Sequence, residues 1–152
     1  MIRRRFIALA IAAALPIDAA RPYFWNKIRY RGGTVQVRLD PWDWNTAISV
    51  KPDEIMLDFS GRATLRIKPS QVISISYGQE AKRRVENVVA LSMLLGPLGL
   101  FGLLHKTKDE LIGIVYDTGD NKQGAILLES PFALAILGAL STVTGKTIEV
   151  KP

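Results

Sequence analysis

Residues Ala47–Gly78 read AISVKPDEIMLDFSGRATLRIKPSQVISISYG, four short runs in which apolar and polar residues alternate, separated by turn pairs. The runs are Ala47–Lys51, Glu54–Phe59, Ala63–Lys68 and Val72–Tyr77. A period of two places successive side chains on opposite faces of a strand. Ile48 and Val50, then Ile55, Leu57 and Phe59, then Leu65 and Ile67 therefore form inward sets, and Ile73, Ile75 and Tyr77 are expected to do the same against outward Ser74 and Ser76. Pro52-Asp53 and Ser60-Gly61 supply the turn chemistry, so the stretch predicts an antiparallel meander.

The segments on either side extend it. Upstream, Thr34–Leu39 alternates with Val35, Val37 and Leu39 on one face, which predicts a half-buried strand ended by Asp40-Pro41. Arg21–Tyr30, RPYFWNKIRY, mixes aromatics and cations and fits either a first strand or a mobile arm. Downstream, Lys82, Arg83 and Arg84 lead into Val88–Leu104, VVALSMLLGPLGLFGLL, which has no charge and is broken by Gly96-Pro97, Gly99 and Gly102. Leu111–Tyr116 and Gln123–Glu129 are two more strands joined by the turn-rich Asp117–Asn121. The chain then predicts a helix: Ser130 to cap it, Pro131 at its first position, Phe132, Ile136, Leu140 and Val143 as its apolar stripe, and Gly145 to end it. Thr147–Val150 fits a short last strand.

At 152 residues the chain suits one domain with a sizeable core. With 48% hydrophobic and 22% charged residues it belongs to the globular class, not the disordered or collagen-like ones. The net charge of +6 is modest, and a solubilising surface accounts for it more simply than an anion-binding one. With no cysteine, disulfides, thiol catalysis, thiolate metal sites and a lipid-modified cysteine anchor are excluded. Residues 1–20, MIRRRFIALAIAAALPIDAA, have the basic start, apolar run and small-residue end of a secretory signal peptide, with a short uncleaved anchor as the rival reading. The apolar run is too short to cross a hydrocarbon core about 30 Å thick. Arg3-Arg4-Arg5-Phe6-Ile7 partly matches the twin-arginine export pattern. Location is therefore expected to be the periplasm or cell envelope. The organisation expected is a signal or anchor at 1–20, an N-terminal strand or arm at 21–46, and one domain at 47–150 carrying an apolar insertion at 88–104.

Ile67-Lys68-Pro69-Ser70-Gln71-Val72-Ile73-Ser74-Ile75-Ser76-Tyr77-Gly78 resembles the strand–turn–strand segment of bacterial pleckstrin-homology-like (PH-like) modules. The span from Ser49 to Val150 is similar to uncharacterised exported bacterial proteins that carry such a module. The shared features are a Tyr-Gly-Gln-x-Ala-x-Arg-Arg segment (here Tyr77–Arg84), an apolar Gly-Pro-Leu-Gly loop, a basic return, and a helix ending in Thr144-Gly145-Lys146. The resemblance implies a mainly β fold, a PH-like antiparallel barrel of about seven short strands with one C-terminal amphipathic helix. It carries no activity. The basic first-hairpin set of phosphoinositide-binding PH domains is not matched, since only Arg62 and Arg66 fall there.

Three arrangements suit the apolar insertion: a full membrane crossing, which would put the strands on its two sides in different compartments; a hairpin turning at Gly96-Pro97 that dips into a membrane or packs on a partner; and a lid that is simply core. In the second, Leu94, Leu95, Leu98, Leu100, Phe101, Leu103 and Leu104 make the apolar contacts, and Arg83, Arg84, Lys106 and Lys108 meet anionic headgroups. His105, the only histidine, has no neighbouring carboxylate motif. Asp40 with Asp43, and Asp117 with Asp120, occupy turns, and Asp117–Asn121 lacks the ligand pattern of a calcium loop. Trp42 and Trp44 fit packing against the barrel better than sugar stacking or an interfacial belt. The glycines of 96–102 lack the Gly-Lys-Ser/Thr of a phosphate loop. The sequence thus points to a non-enzymatic module with no metal, no cofactor and no nucleic-acid partner, associating with a membrane surface, a protein partner or itself. A soluble module for an apolar ligand or peptide, with 88–104 as lid, is the alternative.

Overall fold

The computed structural model describes residues 23–40, 42–91 and 110–150. In chain order the strands are β1 (Tyr23–Gly33), β2 (Thr46–Val50), β3 (Ile55–Phe59), β4 (Ala63–Ile67), β5 (Val72–Tyr77), β6 (Leu111–Asp117), β7 (Gln123–Glu129) and β8 (Ile148–Val150). Helix α1 (Gln79–Leu91) lies between β5 and β6, and helix α2 (Ala133–Thr144) between β7 and β8. The strands form one eight-stranded sheet in the order β4-β3-β2-β1-β7-β6-β5-β8. Every pairing is antiparallel except β5 with β8. The ends β4 and β8 do not pair, so the sheet is open where a closed barrel was expected.

The meander forms as its alternation requires: β2, β3 and β4 pair in unbroken register, with Ile48 opposite Leu57 and Leu57 opposite Leu65. Ile48, Val50, Ile55, Leu57, Phe59 and Ile67 are fully or almost fully buried in one core. Of the stretch read as either a first strand or a mobile arm, the described part, Tyr23–Tyr30, is strand. β1 runs eleven residues and holds the two halves of the sheet together, its first part pairing with β2 and its second with β7. Register shifts near Trp25–Ile28 and Tyr30–Gly32 let it turn from one half to the other. At its end Gly33 has φ +148° and a Cβ there would lie 2.2 Å from the Ala125 carbonyl oxygen, so only glycine fits.

Three expectations need correction. Residues 34–39 do not form a strand: Val35, Val37 and Leu39 are half-buried against the core as their spacing requires, yet beyond the bond from the Thr34 amide to the Ala125 carbonyl no strand among the described residues is paired to them. In β5 a bulge between Val72 and Ser74 reverses the faces, burying Val72 (2% exposed) and turning Ile73 (40%) outward. At α2 the helix begins at Ala133, beyond Pro131, and Ser130 Oγ instead accepts the Phe132 amide at 3.1 Å and donates to the Lys27 carbonyl at 2.8 Å. The inward stripe of α2 is otherwise as expected, with Ile136 and Leu140 buried, Val143 half-buried, and Gly145 ending the helix at φ 71°. Phe132 is exposed.

The second helix was not foreseen. Ala81, Val85, Val88 and Val89 recur at helical spacing and are buried in a second core with Leu111, Val115, Ala125 and Leu127. β6 and β7 are therefore covered on both faces: Ile112, Ile114, Ile126 and Leu128 face the main core, and their neighbours face α1. The first residues assigned to the apolar insertion, Val88–Leu91, are the last turn of this helix.

Candidate functional site

The site begins with α1 and the two points where residues 92–109 leave and rejoin the described fold. α1 starts at Gly78 (φ 68°), whose amide donates to the Leu111 carbonyl at 3.0 Å. It then runs along the outer face of β6 and β7 to Leu91, which is 82% exposed. Val88 and Leu91 there border a depression of about 770 Å³ together with Thr34, Tyr116, Thr118 and Lys122. The chain returns at the other end of β6, where the Glu110 carbonyl accepts the Ser130 amide at 3.2 Å. The two flanks are thus separated by the length of β6, roughly 20 Å at about 3.3 Å per residue.

β5 pairs with β6 across five registered positions and α1 packs on β6, so the chain before and after 92–109 belongs to one body, an arrangement the full-crossing reading does not fit. Among the described residues no helix is long and apolar enough to cross a membrane. Leu94, Leu95, Leu98, Leu100, Phe101, Leu103, Leu104, His105, Lys106 and Lys108 lie outside the described residues.

Arg83 and Arg84 are described, and neither is a free cation. Both reach Glu80 Oε1, Arg84 Nε at 3.1 Å, and Arg84 Nη2 also reaches Glu149 Oε1 at 2.5 Å. Lys82 Nζ lies 3.7 Å from Glu86 Oε1. The run that reads as a basic cluster in the sequence is therefore matched, three cations against three carboxylates, on the helix surface and at β8. Glu80 is held below the usual carboxylate range, first by the hydrogen bond from Arg83 and then by that from Arg84, against the opposing effect of burial. The Arg83 and Arg84 side chains remain 58% and 42% exposed.

A second surface was missed. Trp42 and Trp44, expected to pack against the barrel, lie on the outer face of the sheet and stay 61% and 41% exposed. Lys27, Arg29 and Arg31 alternate on the outer face of β1 after its bulge, Arg31 being buried there, and the indoles lie across them. The Arg29 guanidinium carbon is 3.8 Å from the Trp44 ring centroid, Lys27 Nζ 5.3 Å from the same ring, and Arg31 5.4 Å from that of Trp42. Arg29 Nε also donates to the Trp42 carbonyl at 2.9 Å, and Asp40 Oδ1 accepts the Trp42 amide at 2.9 Å. Glu129, across the β1–β7 pair, accepts from Arg31 at 2.5 Å and Arg29 at 3.4 Å. The far side of Trp44 borders a shallow cleft of about 460 Å³ with Arg38, Asp40, Asp43 and Arg62. The signal available in the sequence was three cations at alternate positions, Lys27, Arg29 and Arg31, followed by two tryptophans, also at alternate positions.

The remaining polar features are structural. Asp117 Oδ1 accepts the Gly119 amide at 2.8 Å, the turn role expected of it. Tyr30 Oη donates to the Val35 carbonyl at 2.7 Å, its ring packs on Phe59 with centroids 4.8 Å apart, and burial raises its phenol well above the usual range. Tyr116 is raised for the same reason, with its hydroxyl 3.3 Å from Thr34 Oγ1. Among the described residues no group of three or more His, Cys, Asp or Glu side chains is placed to hold a metal ion. No family model matches the chain. No curated protein matches it significantly either.

Proposed function

We propose that this chain is an exported, non-enzymatic PH-like module of the cell envelope that associates with a membrane surface through the apolar insertion 88–104. The observation that carries the reading is the placement of the insertion's flanks. The segment 92–109, uncharged as far as Leu104, leaves the end of α1 beside an exposed Leu91 and rejoins the same body at Glu110, so it would meet a bilayer as an excursion from one side. Gly96-Pro97 suits a turn in such an excursion. The PH-like assignment rests on the quoted motifs, and a meander followed by a C-terminal helix packed on its core accords with it. Export rests on residues 1–20.

The depression at the end of α1 favours a second reading, in which the insertion closes over it as the lid of a soluble module for an apolar ligand or peptide. Cell fractionation separates the two. Membrane association predicts that the protein pellets with membranes and that replacing 92–104 by a Gly/Ser linker of equal length moves the folded protein to the soluble fraction. A soluble wild-type protein, with the linker chain failing to fold, supports the lid instead.

A further inference from the structure

The indole–cation surface on β1 is a second contact point, and it shares a face with α1. Outward residues of β1 continue across the sheet: Arg29 is the registered partner of Glu129, and Glu129 is in turn the partner of Leu111, which packs beneath α1. The surface thus adjoins the end of β6 where the chain returns at Glu110. Of the five exposed aromatics among the described residues, three lie on this face, Phe24 near the start of β1 and Trp42 and Trp44 over its cations, while Tyr23 stacks on the inward Trp25 and Phe132 lies elsewhere. Phe24 is outward, because its neighbour Trp25 packs inward opposite the fully buried Ile48.

We propose that Trp44, carried on Lys27 and Arg29, and Trp42, over Arg31, form an interfacial platform that seats the outer face of the sheet on an anionic phospholipid bilayer. The inference rests on the membrane reading given above and assigns it a second set of residues. Three observations support a bilayer as the partner. Indoles are amphipathic and settle at headgroup level, and the two here keep much of their surface open. The cations that keep exposure, Lys27, Arg29, Arg38 and Arg62, suit an anionic surface, with Asp40 and Asp43 beside them, while Arg31 is buried and paired with Glu129. Two cations beneath the Trp44 ring, with Arg31 near the Trp42 ring and backbone hydrogen bonds at Trp42, hold the pair in place, so little ordering is left to be done on binding.

The test uses the full chain carrying Trp25→Phe, so that fluorescence reports Trp42 and Trp44 alone, mixed with vesicles of equal parts phosphatidylcholine and phosphatidylglycerol whose acyl chains are brominated. The platform predicts a blue shift and quenching that weaken in pure phosphatidylcholine, and a loss of vesicle affinity of about tenfold or more in Trp42→Ala/Trp44→Ala at an unchanged melting temperature. Trp42→Ala alone, at the more exposed of the two, provides the comparison if the double variant folds poorly. An unshifted, unquenched spectrum, or undiminished affinity in the folded tryptophan variants, overturns the platform. The membrane reading through 88–104 fails separately: Leu98→Asp/Phe101→Asp that leaves both association and quenching intact removes it while the platform stands. Association lost in that variant, with the tryptophans silent in the parent chain, removes the platform alone.

Discussion

Gly113 is the point at which α1 meets β6, and adding a single methyl group there tests the seating of the helix. A Cβ at this position would lie 2.6 Å from Ser76 Oγ and 3.0 Å from both Cα and Cβ of Ala81. Non-bonded carbons prefer about 3.5–4.0 Å, so Gly113→Ala forces the first turn of α1 outward by about 0.5–1 Å. A gap of that size forfeits about a quarter to a half of each contact's attraction, and the contacts at stake are those of Ala81, Val85 and Val89, all fully buried. Overpacking a tight site typically costs about 1–3 kcal/mol. Taking about 2 kcal/mol, urea unfolding shows a lower midpoint at unchanged slope, and the melting temperature falls by about 4–8 °C. Ala81→Gly alone costs about 1 kcal/mol in helix propensity and about 0.8 for its methyl group. Because it removes one clashing atom, the double variant loses at least about 1 kcal/mol less than the two single losses combined. The same chemical change at Gly138, mid-helix in α2 with nothing within 4 Å, stabilises by about 1 kcal/mol. A neutral or stabilising Gly113→Ala would refute the close approach of α1 to β6, and with it the placement of the segment's flanks.

Two further outcomes follow from the buried polar groups. Glu80→Gln lowers the melting temperature at neutral pH. A carboxyl group held below its ordinary value of 4.5 stabilises the fold above that value and loses the contribution as pH falls through the lowered one, so melts of the two chains converge in acid. Tyr30→Phe removes the 2.7 Å bond to the Val35 carbonyl and costs about 1 kcal/mol in urea unfolding at neutral pH. The raised Tyr30 phenol stabilises below its ordinary value of 10.0 and loses that contribution as pH rises past it, so the variant loses less stability than wild type in alkali.

Strands with one face in the core were legible because burial imposes alternation, and β2, β3, β4, β6 and β7 lie within about a residue of their expected bounds. Residues 34–39 show the limit of that signal: Val35, Val37 and Leu39 alternate because one side meets the core, and alternation says nothing of a hydrogen-bonding partner. Ile73 was misplaced because a bulge adds a residue to one strand without marking the pattern. α1 was hidden behind its own charges, since Lys82, Arg83 and Arg84 look like a cluster until Glu80, Glu86 and Glu149 are set beside them. Two signals could have found it: Ala81, Val85, Val88 and Val89 at helical spacing, and the near-continuous apolar run of β6, which indicates a strand covered on both faces. The Trp42–Trp44 surface was misread because which way a loop aromatic faces depends on the strand it crosses, and that was β1, whose course the sequence left open.

The most direct test of the membrane reading is co-sedimentation of the chain from Arg21 onward with anionic and neutral vesicles, at low and high salt, beside its Leu98→Asp/Phe101→Asp variant. The reading predicts that the chain pellets with anionic vesicles, less so at high salt, and that the variant stays in the supernatant with its melting temperature unchanged. A well-folded chain that remains in the supernatant with every vesicle would contradict it.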